Sequence, residues 1–189
     1  MRGWIQKNKK WERWITKGVQ HLSSKYPWPK HENKEIGIRI LPHAQIAVEF
    51  KIECTDKRSM CRLLMNMAES YRVLEKYEEA ESALYFAVEL RMQTLGVLHS
   101  ETLAAMNNLA VVLAIQGKRD EAEQMHLQTL KSRKKLLGEK HPDTLDSMNN
   151  VAIALQDQKR YHEAEQRHRT TLKLRGEVLG STHPKRLIA

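Results

Sequence analysis

Apolar residues recur at helical spacing through the middle of the chain. Between residues 102 and 115, one stripe consists of Leu103, Met106, Leu109, Ala110 and Leu113. Steps of three and four residues place these side chains on one face of an α-helix. Thr102 stands at a suitable position to cap the start of this helix. The pattern therefore predicts an amphipathic helix that begins near Thr102 and ends before Gly117.

A second helix is predicted after the turn Gln116-Gly117-Lys118, from about Asp120 to Leu137. Its packing face consists of Ala122, Met125, Thr129, Leu130 and Leu137. Gly138 comes next, and a glycine there can adopt the positive φ that ends a helix. The segment is therefore predicted to form a helix hairpin.

The hairpin recurs with a fixed period of 42 residues. The repeated columns include Ala80, Ala122 and Ala164; Gly96, Gly138 and Gly180; and His99, His141 and His183. The pair Asn107-Asn108 returns as Asn149-Asn150, with Met65-Asn66 in the first copy. One hairpin cannot bury its own apolar stripe, so consecutive copies must stack. We therefore predict an all-α fold, a right-handed superhelix of antiparallel helix hairpins.

The order of motifs resembles a known family. N-N-L-A, then Q-G-K, then D/Y-x-E-A-E, then R-x-x-x-L-G-x-x-H-P-x-T-L is similar to the 42-residue tetratricopeptide repeat of kinesin light chains. Fungal NB-ARC and NACHT-type signalling NTPases have similar C-terminal arrays, and the lead-in around Tyr26-Pro27-Trp28-Pro29 favours that lineage. The resemblance spans roughly Met60 to Leu187. The G-x-x-x-x-G-K-[ST] motif of an NTPase module does not occur in this sequence.

The period predicts the domain organisation. The segments are a basic, Trp-containing helical cap with an atypical zeroth repeat at 1–59, repeats at 60–101, 102–143 and 144–180, and the start of a further repeat at 181–189. Because that last copy is short, we expect the second helix of the third repeat to leave an apolar edge uncovered. This edge would drive self-association or mark the loss of further repeats.

The positive charge is concentrated at the N-terminus. The chain has 32 Lys and Arg against 23 Asp and Glu, a net charge of +9, and residues 1–35 contribute +6 of it. The nearly balanced remainder disfavours a nucleic-acid partner. No apolar run long enough for a secretory signal or a membrane span occurs in the sequence.

A first helix is predicted in the basic segment, with Trp4, Trp11, Ile15, Val19 and Leu22 close to one face. One interpretation is a basic amphipathic helix that binds an anionic membrane or directs the chain to an organelle. The interpretation that we favour is a cap whose Trp face seals the end of the array. A shorter helix from about Pro42 to Ile52 is predicted to follow.

Candidate chemistry is sparse. His99, His141 and His183 occur once per repeat, roughly 10 Å apart for packed helices, whereas zinc ligands converge to about 2 Å from one ion. We expect these His residues to cap or pack the loops between repeats. Cys54 and Cys61 lack a catalytic context. The sequence predicts no catalytic residue, no metal site and no cofactor.

The first helix of each hairpin offers the better candidates. Outside the buried stripe, Asn107, Val111 and Ala114 form a second stripe. The resemblance implies that this helix lines a concave groove, where Asn amides bond the backbone of an extended peptide. The predicted groove residues are Asn66, Asn107, Asn108, Val111, Asn149 and Asn150. The alternative is that one Asn of each pair bonds a neighbouring helix and sets the repeat spacing.

Together these features predict a non-catalytic adaptor or scaffold in the cytoplasm that binds a protein or peptide in this groove. No nucleic-acid partner is expected, and a membrane is disfavoured. Two alternatives remain open. One is a ligand-sensing repeat fragment of an NB-ARC or NACHT-type receptor without its NTPase domain. The other is a membrane- or organelle-directed protein led by the basic N-terminal helix.

Overall fold

The computed structural model describes residues 2–28, 34–49 and 54–179, without the side chains of residues 2–8, 34 and 179. All regular structure within these ranges is α-helical. The helices are α1 (Arg2–Lys25), α2 (Lys34–Glu49), α3 (Lys57–Val73), α4 (Tyr77–Leu95), α5 (Ser100–Ile115), α6 (Arg119–Leu137), α7 (Pro142–Asp157) and α8 (Tyr161–Leu179). The all-α class predicted from the sequence is confirmed.

The chain divides after Gly96 into two compact units. In the first unit, α3 and α4 pair as a hairpin, and α1 and α2 both pack against α3. In the second unit, each of the helices α5 to α8 packs against the next, and α5 also contacts α7. The helix pairs begin at Lys57, Ser100 and Pro142, two or three residues before the repeat boundaries drawn from the sequence.

The predicted apolar stripe of α5 is its buried face. Leu103, Met106, Leu109, Ala110 and Leu113 are all at most 4% exposed. On α7 the equivalent residues join Leu130 of α6 and Ala164 of α8 in one cluster. Helical periodicity of apolar residues was therefore sufficient to predict this core.

Histidines cap α5 and α7. His99 accepts a hydrogen bond on Nδ1 from the backbone N–H of Glu101, and His141 does the same for Asp143, each at 3.2 Å. The prediction that Thr102 is the cap is wrong, because Thr102 lies one turn inside α5 and is completely buried. The prediction that the periodic histidines cap or pack the loops between repeats is confirmed for His99 and His141, which end these loops as the N-cap residues of α5 and α7. His183 lies outside the described residues.

The turn inside each hairpin requires a left-handed residue. Gly117 has φ +82°, and the equivalent residues Glu75 and Lys159 have φ +60° and +63°. In the left-handed conformation the Cβ atom comes too close to the following carbonyl oxygen, and glycine has no Cβ atom. A Cβ at Gly117 would have no atom within 4 Å, so only the backbone conformation distinguishes glycine from other residues there.

We expect Lys159→Gly to stabilise the protein by about 0.5–1 kcal/mol, because glycine relieves the left-handed conformation of an exposed residue. Gly117→Ala should destabilise it by a similar amount. Urea unfolding midpoints of both variants test this. A lower midpoint for Lys159→Gly would mean that its side chain contributes more than its backbone strain costs.

The contact of α1 with α3 differs from the prediction. Val19 and Tyr26 are 1% and 2% exposed, and the Tyr26 hydroxyl donates to Ser70 Oγ at 2.7 Å. Trp11, however, is 51% exposed, so the expectation of a buried Trp face is wrong. The buried residues at this contact are Val19 and Ser23 of α1 and Tyr26, which follows directly after the helix. The side chain of Trp4 lies outside the described residues.

The second helix begins earlier than predicted, at Lys34 instead of near Pro42. Gly37, Leu41 and Ala44 form a buried stripe that continues across the proline, and this face packs against α3. Pro42 is exposed, and its missing N–H does not interrupt that packing. Gln45 Nε2 also donates to the Tyr71 hydroxyl at 2.8 Å.

The segment 181–189, predicted to begin a further repeat, lies outside the described residues, as does Gly180. Among the helices described, none is long and apolar enough to cross a membrane.

Candidate functional site

A cavity of about 470 Å³ opens between α5 and α7 in the second unit. Its lining residues are Val111, Ala114, Ile115, Arg119, His126, Asn150, Ile153, Ala154 and Asp157. We call this surface, together with Asn107, the α5–α7 groove. Apolar side chains form most of its wall, while Arg119 and Asp157 add one charge of each sign.

Two asparagines join the helices of the groove. Asn150 Nδ2 on α7 donates to Asn107 Oδ1 on α5 at 2.6 Å. The two residues are 43 positions apart, so the bond links the first Asn of one pair to the second Asn of the next. This diagonal contact supports the alternative in which an Asn of each pair sets the spacing between hairpins.

The same bond leaves capacity for a ligand. Asn107 and Asn150 are half-buried. A side-chain amide has two donor hydrogens and an acceptor oxygen, and their mutual bond uses one hydrogen of Asn150 and the oxygen of Asn107. Within the described structure, Asn107 Nδ2 and Asn150 Oδ1 have no other partner. The mutual bond therefore leaves one donor group and one acceptor group of the pair unused, the two kinds of group that bond a peptide backbone.

His126 of α6 lies at the bottom of the groove and is 5% exposed. Its Nδ1 is buried without a hydrogen-bond partner in the described part of the chain. Burial lowers the pKa of this imidazole to about 4, because the charged form loses its hydration. The bottom of the groove is therefore uncharged at neutral pH.

Arginines hold the helices around the groove. Arg133 of α6 donates from Nη1 to the Asp143 carbonyl and to Ser147 Oγ of α7, each at 2.8 Å. Arg160 Nη1 contacts both carboxylate oxygens of Glu123 at 2.9 Å, which ties the α7–α8 turn to α6. These bonds fix α7 and the α7–α8 turn against α6, the helix at the bottom of the groove.

Comparison with known families agrees with this geometry. The model of the tetratricopeptide repeat matches residues 59–135 and 101–177, which together cover more than half of the chain. The chain belongs to the tetratricopeptide repeat family. The hairpins α3–α4, α5–α6 and α7–α8 are thus tetratricopeptide repeats, and the α5–α7 groove lies between the first helices of two consecutive repeats.

A curated relative comes from the fungus Hyaloscypha variabilis. It is a nucleotide-binding leucine-rich repeat (NLR)-like protein that is 40% identical over 90 residues. The match covers 47% of this chain and 9% of that protein. The similarity supports the predicted relation to the repeat arrays of fungal NLR-type proteins, and the chain spans less than a tenth of that relative.

Solved structures show the same tetratricopeptide fold. BtubC (BKLC) from P. vanneervenii has a TM-score of 0.68 at 21% identity, over 79% of this chain and 60% of that one. A putative kinesin light chain from Podosopora anserina with nearly identical TPR-like repeats has a TM-score of 0.65 at 24% identity, over 83% and 80%. A variant of that kinesin light chain with one substitution has a TM-score of 0.67 at 23% identity, over 89% and 82%. The predicted likeness to kinesin light chains is confirmed at the level of the fold.

The repeats bring together only part of the predicted site. Val111 and Asn150 line the cavity, and Asn107 adjoins it through its hydrogen bond to Asn150. Asn108 and Asn149 are half-buried neighbours that do not line the cavity. Asn149 Oδ1 is buried and has no partner among the residues described.

Asn66 belongs to a different contact. It is 5% exposed, and its Nδ2 donates to the Tyr26 carbonyl at 2.6 Å. The prediction that Asn66 lines a groove is wrong, because this amide holds the end of α1 against α3. Asn66 and Asn150 occupy the same column of the repeat, and each amide donates to a residue about one repeat earlier, 40 and 43 positions before it.

Sequence reasoning missed much of the groove wall. The missed residues are Ile115, Arg119, His126, Ile153, Ala154 and Asp157. Ile153 could have been found, because it stands 42 residues after Val111. Arg119 and His126 belong to the second helix of a hairpin, and no periodic signal places them in a groove built from first helices.

The remaining polar columns have structural roles. Arg175 of α8, which occupies the same column as Arg133, is 7% exposed and donates to Asp146 Oδ1 at 2.9 Å. No group of three metal-binding side chains occurs among the described residues. Cys54 and Cys61 are both buried, and neither forms a disulfide within the described part of the chain.

Proposed function

We propose that the chain is a non-catalytic adaptor of the cytoplasm whose α5–α7 groove binds an extended peptide of a partner protein. The observation that favours this function is the Asn107–Asn150 pair beside an apolar cavity of about 470 Å³. The amides would bond the peptide backbone, and the cavity would receive one apolar side chain. No nucleic-acid partner is part of the proposal.

The test begins with a random displayed peptide library selected on the full chain. The affinity of the selected peptides is then measured against two variants of one residue. Asn107→Asp keeps an oxygen that can accept from Asn150 Nδ2, but it removes the amide donor of Asn107. We expect peptide affinity to fall about tenfold, the effect of one lost hydrogen bond to a ligand, with little change in thermal stability.

Asn107→Ala is the companion variant. It removes the acceptor as well and leaves Asn150 Nδ2 without its partner, so stability should fall by about 1–2 kcal/mol together with peptide binding. If both variants bind the selected peptides as tightly as the original chain, the amides have only a structural role. The proposed function would then be wrong for this groove.

The NLR-like relative favours a second candidate, in which these repeats are the ligand-sensing part of a nucleotide-binding receptor. In that case the groove would be occupied by the ligand or by another domain of the receptor. The genomic sequence upstream distinguishes the two. An in-frame P-loop module would support the receptor, and a start codon with no such module would contradict it.

Self-association through the edge of the last repeat stays a proposal, and Asn149 supports it. The diagonal pattern that joins Asn107 to Asn150 would pair Asn149 with an Asn on a further first helix. A second copy of the chain could supply such a donor. Analytical ultracentrifugation should then show a dimer that Asn149→Leu weakens, and a monomer at high micromolar concentration would contradict this.

A further inference from the structure

Two tryptophans project from α1 into solvent. Trp11 is 51% exposed and Trp14 is 66% exposed. Their spacing of three residues places them next to each other on one face of the helix. Gly18 lies on the same side, and a Cβ built there would have no atom within 4 Å. Within unit 1, this face of α1 is therefore open.

The opposite face attaches α1 to α3. Val19, Ser23 and Tyr26 are buried there. Thr16 Oγ1 accepts from the backbone N–H of Thr55 at 3.1 Å, and Gln20 Nε2 donates to Asp56 Oδ2 at 2.8 Å. The two tryptophans are not needed for these contacts. The two tryptophans are therefore exposed on a helix that its opposite face already holds against the rest of unit 1.

Two lysines flank the indoles on the same side of α1, because Lys10 is four residues before Trp14 and Lys17 is three residues after it. The exposed basic side chains of α1 from residue 9 onward are Lys9, Lys10, Arg13, Lys17 and Lys25. Glu12 is the acidic residue of this helix, and it is half-buried. Charge and aromatic surface therefore coincide on the solvent side of α1.

We propose that the Trp11–Trp14 face of α1 binds an anionic lipid surface. Indole rings favour the boundary between water and acyl chains, where the apolar ring is buried and the N–H stays hydrated. Lysine stems lie along the same boundary while their ammonium groups reach the anionic headgroups. The cytoplasmic leaflet supplies such headgroups. This interaction is independent of the α5–α7 groove.

Lipid explains the surface better than nucleic acid does. Ile36 and Ile46 of α2 are also exposed, at 49% and 57%, with the exposed Arg39 between them in the same unit. Burial of aliphatic side chains in a lipid interface is favourable. Most contacts to nucleic acid are hydrogen bonds to phosphates or base edges, and aliphatic side chains have no group that can form them. Residues 1–35 also contribute +6 of the net charge of +9, whereas a nucleic-acid surface usually extends across the main fold.

The experiment is co-sedimentation of the full chain with vesicles of phosphatidylcholine containing about 30% phosphatidylserine, a strongly anionic surface. Pure phosphatidylcholine vesicles are the lipid control. We expect binding to the anionic vesicles only, and weaker binding as salt is raised. The affinity of the double variant Trp11→Ala/Trp14→Ala for the anionic vesicles should fall by a factor of about ten or more, because two indoles no longer insert.

The matched protein control is Tyr85→Ala/Tyr161→Ala, which removes two aromatic side chains that are each 63% exposed on other helices. This control should bind like the original chain. Lys10→Gln and Lys17→Gln should each lower binding about fivefold, the contribution of one lysine near an anionic surface. Circular dichroism confirms that each variant keeps its helices.

Fluorescence gives a second readout that needs no variant. Lipids brominated in the acyl chains should quench the tryptophan emission of the bound chain, since the rings would lie at the depth of the first methylenes. Absence of binding to anionic vesicles, or equal binding by the tryptophan variant, would overturn the proposal. Tighter binding to a single-stranded oligonucleotide than to the vesicles would also overturn it and assign the face to nucleic acid.

Discussion

Val151→Asp should unfold the second unit, whereas Ile153→Asp, two residues later on α7, should leave it folded and weaken peptide binding. Val151 is fully buried in the cluster between α6, α7 and α8. An aspartate there has no basic partner in that cluster, and an unpaired buried charge costs about 4 kcal/mol or more. Ile153 is 43% exposed and lines the groove, so its replacement should change stability by about 0.5 kcal/mol or less.

The effect of Ile153→Asp on binding has a separate cause. A charge on the groove wall would prevent burial of the apolar side chain of the peptide, a loss of about 2 kcal/mol or roughly thirtyfold in affinity. Val178→Asp on α8 is the matched control, because Val178 is also 43% exposed and lies outside the groove. Unfolding in urea and peptide titration measure the two effects. Equal affinity for the Ile153 and Val178 variants would show that this groove is not where the peptides bind.

His126→Leu should remove a large part of the acid sensitivity of the protein. Burial lowers the pKa of His126 from 6.5 to about 4, so between these values the unfolded chain binds a proton that the folded chain does not. The stability that this group contributes is complete above pH 6.5 and is lost as the pH falls to about 4. The expected loss is about 3 kcal/mol, at about 1.4 kcal/mol for each pKa unit.

Leucine is the appropriate replacement because Leu84 occupies the same column in the first repeat and is 3% exposed there. Urea midpoints at pH 7 and pH 4.5 would be compared for the original chain and the variant. The midpoint of the variant should fall less on acidification. His21→Leu is the control, because it makes the same His-to-Leu substitution at an exposed position of α1. Identical pH profiles for the original chain and His126→Leu would contradict a buried neutral imidazole.

The periodic pattern predicted the elements well where local physics decides. The apolar stripe of α5, the turn at Gly117 and the glycine cap at Gly138 follow from side-chain spacing and backbone freedom. The start of α5 was misplaced because His99 is an uncommon cap and Thr102 a common one. The start of α2 was misplaced because Pro42 normally begins a helix, whereas here the face opposite the proline continues to pack on α3.

By itself, the sequence determined the repeat, its period, the helix hairpins and their apolar faces, because all of these depend on interactions between near neighbours in the chain. Only the tertiary structure decided how each polar side chain is used. Asn66 and Asn150 occupy one column of the repeat. Asn66 donates to the carbonyl of Tyr26 after α1, whereas Asn150 donates to Asn107 beside the groove. Likewise, Val19 is buried while Trp11 stays in solvent, because α3 contacts only one side of α1. The role of such residues depends on which helix lies opposite them, and that helix is distant in sequence.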